Sequence, residues 1–272
     1  MPELPDVERY RRYIDRNAKG RPIRHLSIEA ARIVAPLRPA ALDRRLRGRT
    51  FTEIRRHGKH LFLRVDGDDW LTMHFGLTGR PVWYRDPDDA PPHQRIRFDF
   101  ADGSHLAYAD RRMLGHIGIT NDPEAFIAQH RLGPDALSPE FDLDYLRRAV
   151  GERRGEIKSF LMNQEIVAGI GNIFSDEILF RAHLHPRTGV QRLGESEISR
   201  LLATTKAVLQ AAIDREAGAE EFLDRHPPGS LIPCRHRGGA CPACGHPLET
   251  LRSGGRTAYF CPRCQPERRE TS

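Results

Sequence analysis

A chain of 272 residues with 39% hydrophobic content is long enough for two domains with packed cores, and no apolar run approaches the ~18 residues of a membrane span. The formal charge of +6 points to an anionic partner, nucleic acid first. No signal peptide precedes the acidic opening, so the expectation is a cytoplasmic protein with no membrane partner.

The chain opens MPELPDVE. Pro5 suits the first position of a helix, and Asp6 and Glu8 suit its first turn, where carboxylates meet the positive end of the helix dipole. In PDVERYRRYIDR the residues Val7, Tyr10 and Ile14 share one face, so the spacing predicts a helix of roughly three turns. Pro2 and Glu3 fall outside that account. Loss of Met1 exposes the secondary amine of Pro2. An α-amino group titrates at about 7.7–8.0, so part of it is unprotonated at neutral pH and able to attack an electrophilic carbon, with Glu3 beside it to move protons. An ordinary helix start is the competing reading.

From about Ile23 to Thr120 the pattern changes to short alternating runs separated by turns: HLFLRV, DGDD, WLTMHF, then RIRFDF, ADGS, HLAYAD. That spacing reads as an antiparallel β-sandwich or barrel, with 86–94 as a surface loop. Within it, residues 43–60 carry seven cations against two acids. Lys59 stands out there, because Lys19, Lys59, Lys158 and Lys206 are the only lysines among 43 basic residues. The segment 121–142 mixes proline, glycine and acid without strand alternation and reads as an interdomain linker.

Beyond it the chain turns helical, with candidates in DLDYLRRAVGE, GEIKSFLMNQ, NIFSDEILFRA and ESEISRLLATTKAVLQAAIDRE. The last carries Ile198, Leu201, Leu202, Thr205, Val208, Leu209 and Ala212 on one stripe behind an N-cap near Ser196. AGIGN lies between two of these helices. Gly169 and Gly171 let a ligand approach the backbone, a helix beginning near Asn172 offers free N–H groups to an anion, and Asn172 adds a side-chain donor. Lys158 on the preceding helix is a companion for the same phosphate. Simple helix punctuation is the alternative.

Near the C-terminus Cys241, Cys244, Cys261 and Cys264 form two CxxC pairs with sixteen residues between them, the spacing of a structural zinc site whose four thiolates leave no open position. Disulfides compete, but a chain without a secretion signal is expected in a reducing compartment. The intervening residues read as a hairpin with a turn at Gly254 and Gly255 that presents Arg256, whose fork suits phosphate. Arg235, Arg237, Arg252, Arg256, Arg263, Arg268 and Arg269 together suggest a phosphate-tracking surface, with solvated charge as the bland reading of each. Cys234 lies outside the cysteine pattern and reads as a buried or bystander thiol. His236 is at most a marginal ligand.

MPELPDVE, HGKH, HFGLTG at 74–79, DRRMLG at 110–115, NQEIVAGIGNIFSDEILF and GRTAYFCPRCQ, in that order over nearly the whole chain, resemble the formamidopyrimidine-DNA glycosylase / endonuclease VIII family. The resemblance implies an α+β multidomain protein: an N-terminal helix and catalytic antiparallel β-sandwich (1–120), a linker (121–142), a helix-two-turns-helix DNA-binding domain (143–229) and a zinc finger (230–266). It implies bifunctional base excision on damaged double-stranded DNA by a monomer, cytoplasmic and nucleoid-associated in a bacterium, holding one structural zinc ion. Pro2 then attacks C1′ of the flipped-out nucleotide, Glu3 is acid/base at the sugar, and Lys59 serves the lesion phosphate and elimination. Asn172 and Arg256 take phosphate contacts, with Lys158 as companion. Leu77, Arg112 and Leu114 fill the gap left by the extruded base.

Departures bear on substrate. Formamidopyrimidine enzymes usually read HLGMSG and DPRRFG, so Leu77 and Leu114 replace a methionine and a phenylalanine, and an aromatic wedge is missing. Asp6 stands where many relatives carry glutamate. EEFLDRHPPGSLIPCRHRGGAC is short and lacks the longer segment that closes over the base in 8-oxoguanine-excising relatives. Formamidopyrimidines or oxidised pyrimidines are therefore the expected substrates. The alternatives are an endonuclease VIII-like enzyme specific for oxidised pyrimidines, a non-excising damaged-DNA-binding protein on the same scaffold, and a zinc-ribbon module for transcription or RNA. The last leaves Pro2, Glu3 and Lys59 unexplained.

The purified active protein should lack Met1. Intact mass checks this directly: Met1 retained in a protein that borohydride still traps on abasic DNA removes Pro2 as nucleophile.

Overall fold

The computed structural model describes residues 1–267, so Arg268 and Arg269 of the basic tail lie outside the described residues. The opening helix α1 runs Leu4–Ala18. It is followed by β1 (Ile23–Ile28), α2 (Pro39–Leu46), β2 (Phe51–His57), β3 (His60–Val65), β4 (Trp70–His74), β5 (Gly79–Tyr84), β6 (Gln94–Phe100), β7 (His105–Asp110) and β8 (His116–Thr120). Then come α3 (Pro123–Gln129), α4 (Leu143–Glu152), α5 (Ile157–Met162), α6 (Asn172–Arg181), α7 (Glu195–Asp214), β9 (Glu249–Ser253) and β10 (Arg256–Phe260). The chain separates into two compact units. One comprises Met1–Pro2 and Val7–His130, the other Glu3–Asp6 and the described residues from Arg131 onward.

The first unit is a sandwich of two four-stranded antiparallel sheets, β1-β6-β7-β5 and β2-β3-β4-β8. One core joins them: Ile23, Phe98 and Phe100 from the first sheet meet Leu61, Leu63, Leu71 and Met73 from the second, and Phe51 and Phe98 make an edge-to-face pair at 5.9 Å. Val7, Tyr10 and Ile14 of α1 belong to this core, as their spacing predicts. Strand alternation sends Leu61 and Leu63 of β3 inward and leaves His60 and Phe62 on the opposite face.

That outer face is not bare. The segment expected to be only a linker contains α3, capped by Asp122, whose carboxylate accepts the N–H groups of Glu124 and Ala125, with Pro123 in the first turn. Phe126 of α3 packs edge-on against Phe62 at 5.4 Å and His60 at 5.6 Å, and stacks on His130 at 3.8 Å. Beneath it His57, His60, His74 and His116 are successive cross-strand partners over all four strands of the sheet. His60, His74, His116 and His130, with Thr72 and Phe126, line a cavity of about 190 Å³.

The second unit is helical, built on Leu146, Ile157, Phe174, Ile178, Leu201 and Leu209, with Leu4 of the N-terminus in the same core. The long helix α7 starts at Glu195 rather than behind Ser196. Gly194 is its N-cap, and the Glu197 carboxylate reaches back to accept the Gly194 N–H at 3.0 Å. The β9–β10 hairpin turns at Gly254 (φ 54°) and Gly255 (φ 73°), two left-handed positions in succession that glycine fills without a Cβ penalty. No helix among the described residues is long and apolar enough to cross a membrane.

The histidine row makes the fold sensitive to acid. Burial, reinforced by His74 and the other neighbouring imidazoles, pulls His60 down to about 3. Burial and the nearby Lys59 ammonium pull His74 down to about 4. The unfolded chain takes up protons near 6.5 while the folded one does not, so stability is full above that pH and is lost as pH falls toward 4. Unfolding midpoints recorded from pH 7 to 4.5 should drop, and His60→Gln should drop with a shallower slope, by up to one proton.

Candidate active site

The N-terminus carries a buried carboxylate that belongs to the second unit. Helix α6 begins with Gly171 as its N-cap, a residue with no side chain to meet the orphan N–H groups of the first turn. Glu3 meets them instead: its carboxylate accepts from Gly171 N at 2.7 Å, Ile173 N at 2.8 Å and Phe174 N at 3.2 Å, and it is 1% exposed. The close approach explains the glycines of AGIGN. A Cβ on Gly171 would lie 2.4 Å from the Glu3 carboxyl carbon, and Gly169 (φ 115°) would drive one into Leu4. The anion at this helix start is thus the chain's own Glu3, not a phosphate on the free N–H groups.

Asp6 holds the same terminus from the other side. Its carboxylate accepts the Glu3 N–H at 2.9 Å, the reciprocal half of a capping box, and the Ala219 N–H at 3.2 Å. A Cβ on Gly218 would meet Asp6 at 2.4 Å. The short segment after α7 is therefore pinned to the catalytic-end candidate, a contact that no local pattern announces because the partners lie 213 positions apart. This segment exposes Phe222, in the left-handed region at φ 54° with the Arg225 guanidinium over its ring at 4.2 Å.

In the sandwich unit Pro2 is half-buried. Lys59 is 8% exposed and sits with Gly58 (φ 54°) in the two-residue turn joining β2 to β3, where His57 faces His60. Leu77, Arg112 and Leu114 lie on two loops that Asp110, fully buried, ties together. Its carboxylate accepts from the Thr78 hydroxyl, from Arg112 N at 3.2 Å and from Gly115 N at 2.9 Å, and Thr78 Oγ1 accepts Arg112 N at 3.0 Å. Gly76 (φ 54°) lies against the Leu114 backbone, where a Cβ would sit only 2.4 Å from the Leu114 carbonyl carbon. Arg112 and Leu114 are exposed, and Leu77 is half-buried.

Lys158 requires a correction. It is 0% exposed, with its ammonium bonded to the Asp176 carboxylate, the Asn172 carbonyl at 3.0 Å and Ser175 Oγ at 3.1 Å. Burial pulls its pKa below the ordinary lysine range, against the pull of Asp176. It braces the first turn of α6 from inside and offers nothing to an outside phosphate. Asn172 is half-buried, and its Oδ1 has no hydrogen-bond partner. Arg256 is exposed at the start of β10.

Cys241, Cys244, Cys261 and Cys264 bring their sulfurs within 4.8 Å of one another. The 241–264 and 244–261 separations are 3.8 and 3.6 Å. A tetrahedral ion with Zn–S of about 2.3 Å needs sulfurs roughly 3.8 Å apart, so the donor set fits structural zinc. Gln265 locks the finger to the helical body, its Oε1 accepting Cys261 N–H and its Nε2 donating to the Leu184 carbonyl. Cys234 and His236 stand outside the four-sulfur group.

Three family models match in succession: the formamidopyrimidine-DNA glycosylase N-terminal domain over residues 1–117, the formamidopyrimidine-DNA glycosylase H2TH domain over 132–223, and the zinc finger found in FPG and IleRS over 238–266. The formamidopyrimidine-DNA glycosylase of Pelobacter propionicus is 36% identical over 271 residues, covering 97% of this chain and 100% of that protein. That of Geobacter metallireducens is 38% identical over 273 residues with the same coverages. Among solved structures, Lactococcus lactis formamidopyrimidine-DNA glycosylase bound non-covalently to DNA containing an AP site superimposes with a TM-score of 0.87 at 28% identity, over 97% of this chain and 100% of that one. Its complex with Fapy-dG-containing DNA matches with the same values.

Cys261→Ala should lose zinc and DNA binding together, whereas Cys234→Ala should keep one ion per chain. Metal analysis of the two variants decides it, and full zinc in Cys261→Ala would remove that cysteine from the site.

Proposed function

The chain belongs to the formamidopyrimidine-DNA glycosylase family, and from that premise we propose that it is a bifunctional DNA glycosylase and AP lyase of base excision repair. The observation that carries the proposal is the seat of Glu3. A carboxylate one residue from Pro2 is withdrawn from water and fixed by backbone amides, which serves a group that must hold one geometry beside a nucleophile.

In this reading the Pro2 nitrogen attacks C1′ of a nucleotide turned out of the duplex, and the damaged base departs with the electrons of the glycosidic bond. The C1′–O4′ bond then breaks, O4′ taking that electron pair and a proton as the sugar opens to the iminium. Glu3 exchanges protons with the sugar. Lys59, in the β2–β3 turn, contacts the lesion phosphate and promotes elimination, which cuts the strand. Asn172 and Arg256 hold flanking phosphates, and structural zinc keeps the Arg256 hairpin in shape. Leu77, Arg112 and Leu114 enter the space left by the extruded nucleotide: the leucines occupy volume, and Arg112 supplies hydrogen bonds to the orphaned base. The division 1–120, 121–142, 143–229 and 230–266, with α3 in the second segment, is the domain organisation proposed. The protein acts on damaged double-stranded DNA as a monomer in the cytoplasm.

Substrate preference follows from the wedge. Extruding a damaged or poorly paired nucleotide costs less than extruding a well-stacked one, by an amount on the order of a few kcal/mol. With two leucines and a short segment after α7, discrimination rests on that difference.

Borohydride should trap the protein covalently on abasic DNA, and absence of an adduct would sink the lyase assignment. In single-turnover assays, abasic sites, formamidopyrimidines and oxidised pyrimidines should be processed faster than 8-oxoguanine opposite cytosine. Arg112→Ala should slow excision from duplexes much more than lyase action on a single-stranded abasic oligonucleotide. Equal losses on both substrates would take Arg112 out of the gap.

A further inference from the structure

We infer that Arg235 is a positioning residue that sets the spacing between Asn172 and Arg256, and so acts on DNA binding without touching DNA; the inference rests on the phosphate roles proposed above for those two residues. By charge alone Arg235 belongs with the phosphate-tracking arginines of the tail. The structure turns it inward, with its side chain 13% exposed. Its Nε donates to Asp176 Oδ2 at 2.7 Å, while one Nη reaches the Asn172 carbonyl and the Thr257 carbonyl, each at 3.4 Å. Asn172 is the first residue of α6, and Thr257 directly follows Arg256 on β10. A single planar group therefore spans the backbones that carry both proposed contacts.

The same group is held on every side. Asp176, fully buried, accepts from Lys158 through one oxygen and from Arg235 and Tyr259 N (3.1 Å) through the other. The Tyr259 ring lies under the guanidinium at 4.7 Å. Lys158 bonds the Asn172 carbonyl as well. Two cations and one carboxylate are thus enclosed at the junction of α5, α6 and the zinc hairpin. Buried ion pairs contribute little net stability over well-packed apolar groups, because desolvation offsets the attraction. What they provide is direction, and the fixed fork of an arginine provides more of it than the single point of a lysine. Zinc fixes the hairpin internally. The fork fixes it against the helix whose first turn holds Glu3.

The test is the salt dependence of binding to a duplex with a tetrahydrofuran abasic analogue, by fluorescence anisotropy, alongside zinc content and unfolding midpoint. Each lost phosphate contact lowers the slope of log K against log salt by about 0.9. Arg256→Ala should show that reduction. Arg235→Met should show a similar one with one zinc per chain retained, and the double variant should bind no more than about twofold more weakly than Arg235→Met, because coupled residues do not add. Arg235→Lys keeps the ion pair and gives up the fork, so it should also lower the slope, and it carries the measurement if Arg235→Met does not fold. An unchanged slope in the Arg235 variants, or losses that multiply in the double variant, would overturn the positioning role while leaving Arg256 at its phosphate. Loss of zinc from both Arg235 variants would overturn it in favour of a folding role. A wild-type slope for Arg256→Ala would instead overturn the phosphate reading, and the inference with it.

Discussion

A carboxylate three residues from the start of the chain caps a helix that begins at residue 172, and the local structure of the second unit is arranged around that contact. A helix N-terminus buried without partners leaves donors unsatisfied, each costing about 1–3 kcal/mol. Gly171 cannot supply the cap itself. Its lack of a side chain is also what lets Glu3 in, since any Cβ would occupy the place of the Glu3 carboxyl group. The requirement runs both ways: the helix needs the acid, and the acid is held by the helix dipole and three amides in a single orientation.

The same economy of position recurs in the carboxylates nearby. Asp6 closes the first turn of α1 and holds the chain at Ala219. Asp110 joins the loop of Leu77 to the loop of Arg112 and Leu114, so that side chains meant to project are carried by backbone that is hydrogen-bonded underneath. Asp176 gathers Lys158, Arg235 and the backbone of β10. In each case a short acid is buried against several donors that meet its acceptor oxygens. Basic residues dominate the formal charge, but buried acids set the geometry.

Metal and ion pairs divide the work in the finger. Four sulfurs gather the two ends of its hairpin, Gln265 and the packing of Phe180, Leu231 and Leu248 attach it to the helical body, and Arg235 orients the strand next to Arg256. A finger of this size buries too little apolar surface to hold itself, so cross-linking by zinc substitutes for a core.

What was determined by the sequence alone is what depends on near neighbours: the three-turn stripe of α1, the strand alternation from Ile23 to Thr120, the cysteine spacing, the glycine turn before Arg256 and the helix start at Asn172 all rest on periodicity or fixed offsets. The family resemblance added roles for Pro2, Glu3, Lys59 and the gap fillers because their motifs stand in order. Only the tertiary structure decided which anion occupies the start of α6, why Gly169 and Gly171 are needed, and that Lys158 and Arg235 face inward, since a charged side chain's partner across 18 or 59 positions leaves no mark on local pattern. The row from His57 to His116 was equally hidden. Its members are dispersed along the chain and become neighbours only through strand register, while the α3 that covers them is seven residues long and was masked by the proline and acids of its own cap.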